Sequence, residues 1–226
     1  MKAAIILSGS GVYDGSEIHE TVFTFLALEE NGVEYQCYAP DKEQYHVVNH
    51  ITGDEMPESR NVMVESARIA RGDIKSLIEL SASEAGLLVI PGGFGAAKNL
   101  NQWAISGPDG ELDDEVKRVI NDFAKNKKPI CGLCMGPTVI TQALADSAIA
   151  PTVTVGTSAE DSPYDIEGIN AGMSSLGASV ASKSIKEVAI DKVNKIVTAP
   201  CYMMEASPLE VRNNIAQAIK EVVALL

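Results

Sequence analysis

Two cysteines stand three positions apart in "KKPICGLCMGPTVI", at Cys131 and Cys134, directly ahead of a Gly-Pro pair. The spacing admits three chemistries: a dithiol redox pair, half of a metal site, or a single nucleophile with an inert neighbour. A redox pair needs both sulfurs accessible and the first thiol acidified at a helix start. Cys131 instead falls inside the strand-like run "PICGL", where a thiol is a small buried hydrophobe. The metal reading lacks a second CxxC, and Cys37 and Cys201 are isolated. Cys134 stands where that strand turns into "MGPTVITQALAD", a helix with Pro137 near its first turn. A side chain on such a turn projects upward from the sheet, and the helix N-terminus favours thiolate. Local sequence therefore favours Cys134 as a nucleophile, with an inert core cysteine as the main competing reading.

A second strand end, "VIPGGFGAAKNL", offers Gly92 and Gly93. Glycines there let backbone approach a substrate and aim N–H groups at a developing oxyanion, although a tight turn needs glycine equally well. With Met135 beside the cysteine, they form the candidate oxyanion or substrate-binding set. A third, "LSGSGVYDGSEIHE", carries Glu17 and Glu20 on one face of a helix start, with Ser16 as the expected N-cap. Acidic residues in a first turn are explained by the helix dipole. A carboxyl enclosed beside a cysteine can instead keep its proton and shuttle it. Gly9, Gly11 and Gly15 are too widely spaced for a dinucleotide fingerprint.

The histidines narrow the chemistry. His19, His46 and His50 all precede Cys134, so a downstream Cys-His pair is absent, which opposes amidotransferase and protease activity. His50, in "VVNHITG", is the better candidate to reach the site by tertiary folding, against the reading of an ordinary loop histidine.

These strand ends need a scaffold that gathers them. Apolar runs at 3–8, 33–40, 87–90 and 130–133 alternate with helical patterns, which predicts an α/β fold: a mostly parallel sheet covered by helices on both faces. "EIHETVFTFLALEENG" reads as a helix burying Val22, Leu26 and Leu28; "DDEVKRVINDFAKNKKP" reads as one burying Val116, Val119, Ile120 and Phe123. "PTVTVG" reads as a strand, and the irregular segment 42–75 as an excursion with a helix over 61–70. No linker divides the chain, so residues 1–226 are expected to form a single domain.

Composition removes whole classes of function. Acidic residues outnumber basic ones 31 to 18, and the net charge of −13 opposes nucleic acid and anionic membranes as partners. No apolar run approaches the roughly 20 residues of a membrane span. The opening apolar run is too short for a signal peptide, so the expectation is a cytoplasmic protein with its four cysteines reduced.

"PGGFGAAKNL" followed by "GLCMGPT" resembles the PfpI-like branch of the class I glutamine-amidotransferase-like superfamily. "LSGSGVYDGSEIHE", "YAPDK", "VNHITG", "RNVMVESARIARG" and "NKIVTAPCYM" resemble more closely the ElbB family, named for enhancing lycopene biosynthesis. The resemblance runs from Leu7 to Met203. It implies a flavodoxin-like sandwich and a homodimer, with Cys134 as nucleophile, Glu20 as its acid and Gly93 as an oxyanion glycine. It also implies a glutathione-independent glyoxalase that converts a small dicarbonyl and water to a hydroxy acid such as glycolate, without cofactor or metal. Cys201 stands in "TAPCYMM" where the family has a small residue, and is expected near the site. The alternative reading is a non-enzymatic cysteine redox sensor or regulatory small-molecule binder.

Overall fold

The computed structural model describes residues 2–226. The chain begins β1 (Lys2–Ile6), α1 (Ile18–Glu30), β2 (Glu34–Ala39), α2 (Val62–Ile69), β3 (Ile74–Ser76) and β4 (Leu87–Ile90). It continues α3 (Trp103–Ser106), α4 (Asp114–Lys125), β5 (Ile130–Leu133), α5 (Gly136–Leu144), β6 (Thr152–Val153) and α6 (Ile166–Ser175). It closes with β7 (Ser179–Val180), β8 (Ala189–Asp191), β9 (Ile196–Ala199) and α7 (Pro208–Val223). Seven strands form one sheet in the order β3-β2-β1-β4-β5-β9-β8, parallel throughout except for β8 against β9. Helices pack on it in the expected flavodoxin-like sandwich, with α1 beside α7 and α4 beside α5.

The register explains why the strands are so apolar. Ile5 pairs with Val89, Val89 with Cys131, and Cys131 with Val197, all in strands covered on both faces. Cys131 is accordingly core. The chain steps outward from β1 to β3, then crosses to β4 on the other side of β1. That reversal opens a crevice beyond the carboxyl ends of β1 and β4, where such sheets place their ligands. The turns after β1, β4 and β5 all emerge there.

Four sequence expectations need correction. In α1, Val22 and Leu26 are 46% and 43% exposed, and only Leu28 of the expected trio is buried. The inward face is instead Glu20, Thr21, Thr24, Ala27 and Leu28. Both threonine hydroxyls are silent as polarity because Thr21 donates to the Glu17 carbonyl and Thr24 to the Glu20 carbonyl. The N-cap is Glu17, whose Oε2 accepts the Glu20 N–H at 2.7 Å, while Ser16 turns inward to accept the Ser8 N–H. "PTVTVG" supplies only the two-residue β6, which pairs with β7 outside the main sheet. Within the irregular excursion, β3 adds an unforeseen edge strand beside β2. The amphipathic pattern of α4 holds: Val116, Val119, Ile120 and Phe123 are all fully buried.

Candidate active site

Cys134 occupies the turn between β5 and α5 with φ of +54°, a left-handed conformation uncommon for a residue with a side chain. Its own N–H donates to the Ala199 carbonyl on the neighbouring strand at 3.0 Å, which anchors the turn. Pro137 follows in the first turn of α5, where a missing N–H is tolerated. The thiol is almost enclosed, at 5% exposure.

Glu20 reaches this thiol from the first turn of α1 and is fully buried. Its Oε2 accepts the Gly92 N–H at 3.1 Å, and its Oε1 accepts the Tyr202 N–H at 3.2 Å. Burial, reinforced by the nearby charge of Glu17, raises the Glu20 carboxyl to about 8. Glu17 is also pushed up, chiefly by burial. The Cys134 thiol faces the Glu20 carboxyl, and burial followed by that carboxyl's charge pushes the thiol upward as well. Backbone N–H groups of Gly93 and Met135 face the sulfur and oppose the rise. The helix terminus therefore does not deliver a readily ionised cysteine, contrary to the sequence reading; withdrawal from water outweighs it.

The two glycines separate in role. Gly92 gives its N–H to Glu20 and its carbonyl to the Glu17 N–H at 3.0 Å, so it braces the carboxylates and is not a free oxyanion donor. A Cβ built on Gly92 would lie 2.3 Å from the Cys134 Cβ and 2.7 Å from both the Cys134 Sγ and the Glu20 Oε2. Only glycine fits between nucleophile candidate and acid. Gly93 has φ of +95°, and a Cβ there would stand 2.4 Å from the Gly15 carbonyl oxygen. The Gly93 and Met135 amides have no other hydrogen-bond acceptor among the described residues. They are the pair available to an oxyanion.

His50 does not join this group. Its Nδ1 bonds the Val48 carbonyl at 3.0 Å and its Nε2 accepts the Tyr13 N–H at 3.2 Å, so it braces the Gly9–Gly15 loop. Cys201 lies fully buried behind the site, also with a positive φ, and its N–H donates to Asn214 Oδ1 at 3.0 Å. It is near enough to Cys134 and Glu20 for their charges to raise its thiol further, after burial. All four cysteines are free thiols. No cluster of three or more metal-ligating side chains occurs among the described residues.

Two tyrosines escaped the sequence reading. Tyr202 carries the backbone N–H on Glu20, and its hydroxyl bonds His19 Nδ1 at 2.9 Å. Tyr164 stands close enough for Cys134 and Glu20 to act on its hydroxyl, which burial first of all raises to about 12. Both are delivered by segments far from the cysteine in sequence, and no local spacing marks them. Together with Val12, Phe94 and Trp103 they wall a cavity of about 510 Å³ that opens onto Cys134.

A mostly parallel sheet with a cysteine on the turn after a central strand, and a buried acid from the first helix against it, is the arrangement of a class I glutamine-amidotransferase-like protein. No family model matches the chain. It is 40% identical to the rat ES1 protein homolog, mitochondrial, across 99% of this chain and 84% of that protein. It is also 40% identical to the human glutamine amidotransferase-like class 1 domain-containing protein 3, mitochondrial, across 99% and 83%. A crystal structure of an isoprenoid biosynthesis protein with an amidotransferase-like domain from Ehrlichia chaffeensis superimposes with a TM-score of 0.90 at 33% identity, covering 100% of this chain and 99% of that one. The chain belongs to the ES1/ElbB family. Glyoxalase III of Candida albicans shares the fold, with a TM-score of 0.64 at 14% identity over 100% and 97% of the two chains. The rat and human relatives are both named mitochondrial, which overturns the cytoplasmic expectation. The short apolar start of the sequence was a weak guide to compartment.

Proposed function

We propose that this protein is a cofactor-independent, glyoxalase-like lyase that turns a small dicarbonyl and water into a 2-hydroxy acid. The observation that supports this reading is the Cys134–Glu20 pair: a thiol and a carboxyl facing one another, both withdrawn from water, with the carboxyl raised to about 8. Such an acid accepts and returns protons near neutral pH. No histidine lines the cavity among the described residues, and the carboxyl that faces the thiol is that of Glu20, to which the proposal gives the proton transfers.

The steps follow from the positions. As the Cys134 sulfur attacks the aldehyde carbon, the Glu20 carboxylate takes the thiol proton and returns it to the aldehyde oxygen, giving a hemithioacetal. The Gly93 and Met135 N–H groups stabilise the negative oxygen meanwhile. Glu20 then takes the proton from the former aldehyde carbon, and the electron pair of that C–H bond passes through an enediol to the adjacent carbonyl. Glu20 returns the proton to the neighbouring carbon while the hemithioacetal hydroxyl proton passes to the neighbouring oxygen. One carbon is oxidised and its neighbour reduced, leaving a thioester that water hydrolyses to the hydroxy acid and free thiol. No external oxidant, reductant or glutathione enters.

A redox-sensor role calls for an exposed, acidic thiol. The burial of Cys134 and its upward-shifted titration favour the enzymatic reading. The Ehrlichia relative is named an isoprenoid biosynthesis protein, and the same link is part of the present proposal. A homodimer completes it: Ile18, Val22 and Leu26 form an exposed apolar stripe along α1, suited to an isologous contact with a second copy. The test of activity is glycolate formation from glyoxal by purified protein without glutathione. Glycolate dependent on Cys134 is the expected result, and its absence would overturn the enzymatic reading.

A further inference from the structure

The cavity is far larger than glyoxal requires. Its roughly 510 Å³ falls within the ~300–1,000 Å³ of pockets that hold drug-sized ligands, whereas glyoxal has no atoms beyond its two aldehydes. Its walls are largely apolar, including Phe94, Trp103, Pro108, Met135, Ile169 and Met203. Trp103 is itself well buried and packs against the backbone of α6, where a Cβ on Gly172 would stand 2.9 Å from the indole Cζ2. The Phe94 and Tyr164 rings meet edge to face with centroids 5.9 Å apart. These contacts make a rigid aromatic wall on the approach to Cys134.

The charge around this space is one-sided. No lysine, arginine or histidine lines it among the described residues. Asp165 stands at the rim, its Oδ1 capping α6 by accepting the Gly168 N–H at 2.9 Å. Glu17 and Glu20 lie behind the cysteine. A phosphate or carboxylate entering here would lose its hydration and find no cation in the lining to replace it; Lys98, which stands over the Phe94 ring, already donates to the Tyr13 carbonyl at 3.1 Å. An apolar group would gain by leaving water.

We infer that the substrate class of this site is a neutral 2-oxoaldehyde bearing an apolar group of phenyl size or larger, with the aldehyde at Cys134 and the apolar group against Trp103 and Ile169. This rests on the dicarbonyl reading above and refines it. The reaction keeps its balance: the aldehyde carbon is oxidised, the ketone carbon reduced, and one water added.

The test compares glyoxal, phenylglyoxal and 4-carboxyphenylglyoxal on the purified protein, with each hydroxy acid measured by chromatography. Phenylglyoxal should show kcat/KM at least ~10-fold above glyoxal, in line with the selectivity that apolar pockets supply. The carboxylated analogue should fall at least ~10-fold below phenylglyoxal, because specificity here works by leaving its charge unpaired. Ile169→Trp should shrink the phenylglyoxal preference at least ~10-fold. Equal or better use of glyoxal by the native protein would overturn the size inference while leaving the dicarbonyl reading intact. Equal use of the carboxylated analogue would overturn the neutrality inference, and an unchanged preference in Ile169→Trp would overturn the assignment of the wall. Turnover of none of the three would overturn both proposals.

Discussion

The Gly92 N–H is bonded to the Glu20 carboxylate at 3.1 Å across a separation of 72 residues. The bond ties the turn after β4 to the first turn of α1. It also fills the space beside Cys134, where a Cβ on Gly92 would lie within 2.7 Å of both the sulfur and the acid. Each partner therefore constrains the other: the acid is held in place by a backbone group that no side chain can crowd.

Gly92→Ala follows directly. The added methyl overlaps Cys134 and Glu20, and overpacking of this kind costs about 1–3 kcal/mol. A folded but less stable protein is expected, with glyoxal turnover down at least ~100-fold, as when a proton-transfer group is displaced. Thermal unfolding and initial rates check both. Near-native turnover would show that Gly92 does not control the placement of Glu20.

Alkylation should single out one cysteine. Cys134 opens onto the cavity, whereas Cys131 lies within the sheet and burial drives its thiol upward. Iodoacetamide with mass mapping is expected to modify Cys134 first. Its rate should keep climbing as pH rises through the alkaline range, since burial and then the charge of the facing Glu20 carboxylate push the thiol upward. A rate already at its plateau at pH 6 would mean that the thiolate forms despite burial.

Glu20→Gln separates reactivity from turnover. The amide keeps the shape but cannot carry a proton, so glyoxal turnover should drop ~100-fold or more while Cys134 remains alkylated. Persistence of native turnover would remove Glu20 from the proposed mechanism.

The same variant has a stability signature. Glu20 goes from about 4.5 in the unfolded chain to about 8 in the fold, so between those values the folded protein holds a proton that the unfolded chain has released. Stability from this group is therefore present below pH 4.5 and lost as pH rises through 8. The full loss is on the order of 5 kcal/mol. Glu20→Gln should match the native protein near pH 4.5 and exceed it by several kcal/mol at pH 9, measured by urea unfolding. A pH-independent difference would mean that the acid is ionised at all these pH values.

Val22→Asp tests the α1 stripe. Val22 is 46% exposed between Ile18 and Leu26, so the substitution should leave the fold intact while charging the contact. Light scattering is expected to show a dimer for the native protein and a monomer for the variant. A monomeric native protein would remove the assignment.

Alternating apolar strands and amphipathic helices were enough to determine the α/β class, because a doubly covered parallel strand must be apolar throughout. α4 was legible for a related reason, since its apolar positions 116, 119, 120 and 123 are the ones fully buried while its charged positions all keep some access to water. Helix α1 was not: Val22 and Leu26 mimic a core face, while Thr21 and Thr24 go inward with their hydroxyls satisfied by backbone carbonyls. At the site, the order of types along the chain pointed to Cys134 and to Glu17 and Glu20 together, since strand-end turns and helix starts are local features; the family resemblance, not the spacing, chose Glu20. Which glycine amide is free, what His50 braces, and the arrival of Tyr164 and Tyr202 depend on contacts between distant segments. The titration of Cys134 was decided there too. Local sequence shows a helix N-terminus that favours thiolate, but only the packed structure sets how much water is lost and which carboxyl faces the sulfur.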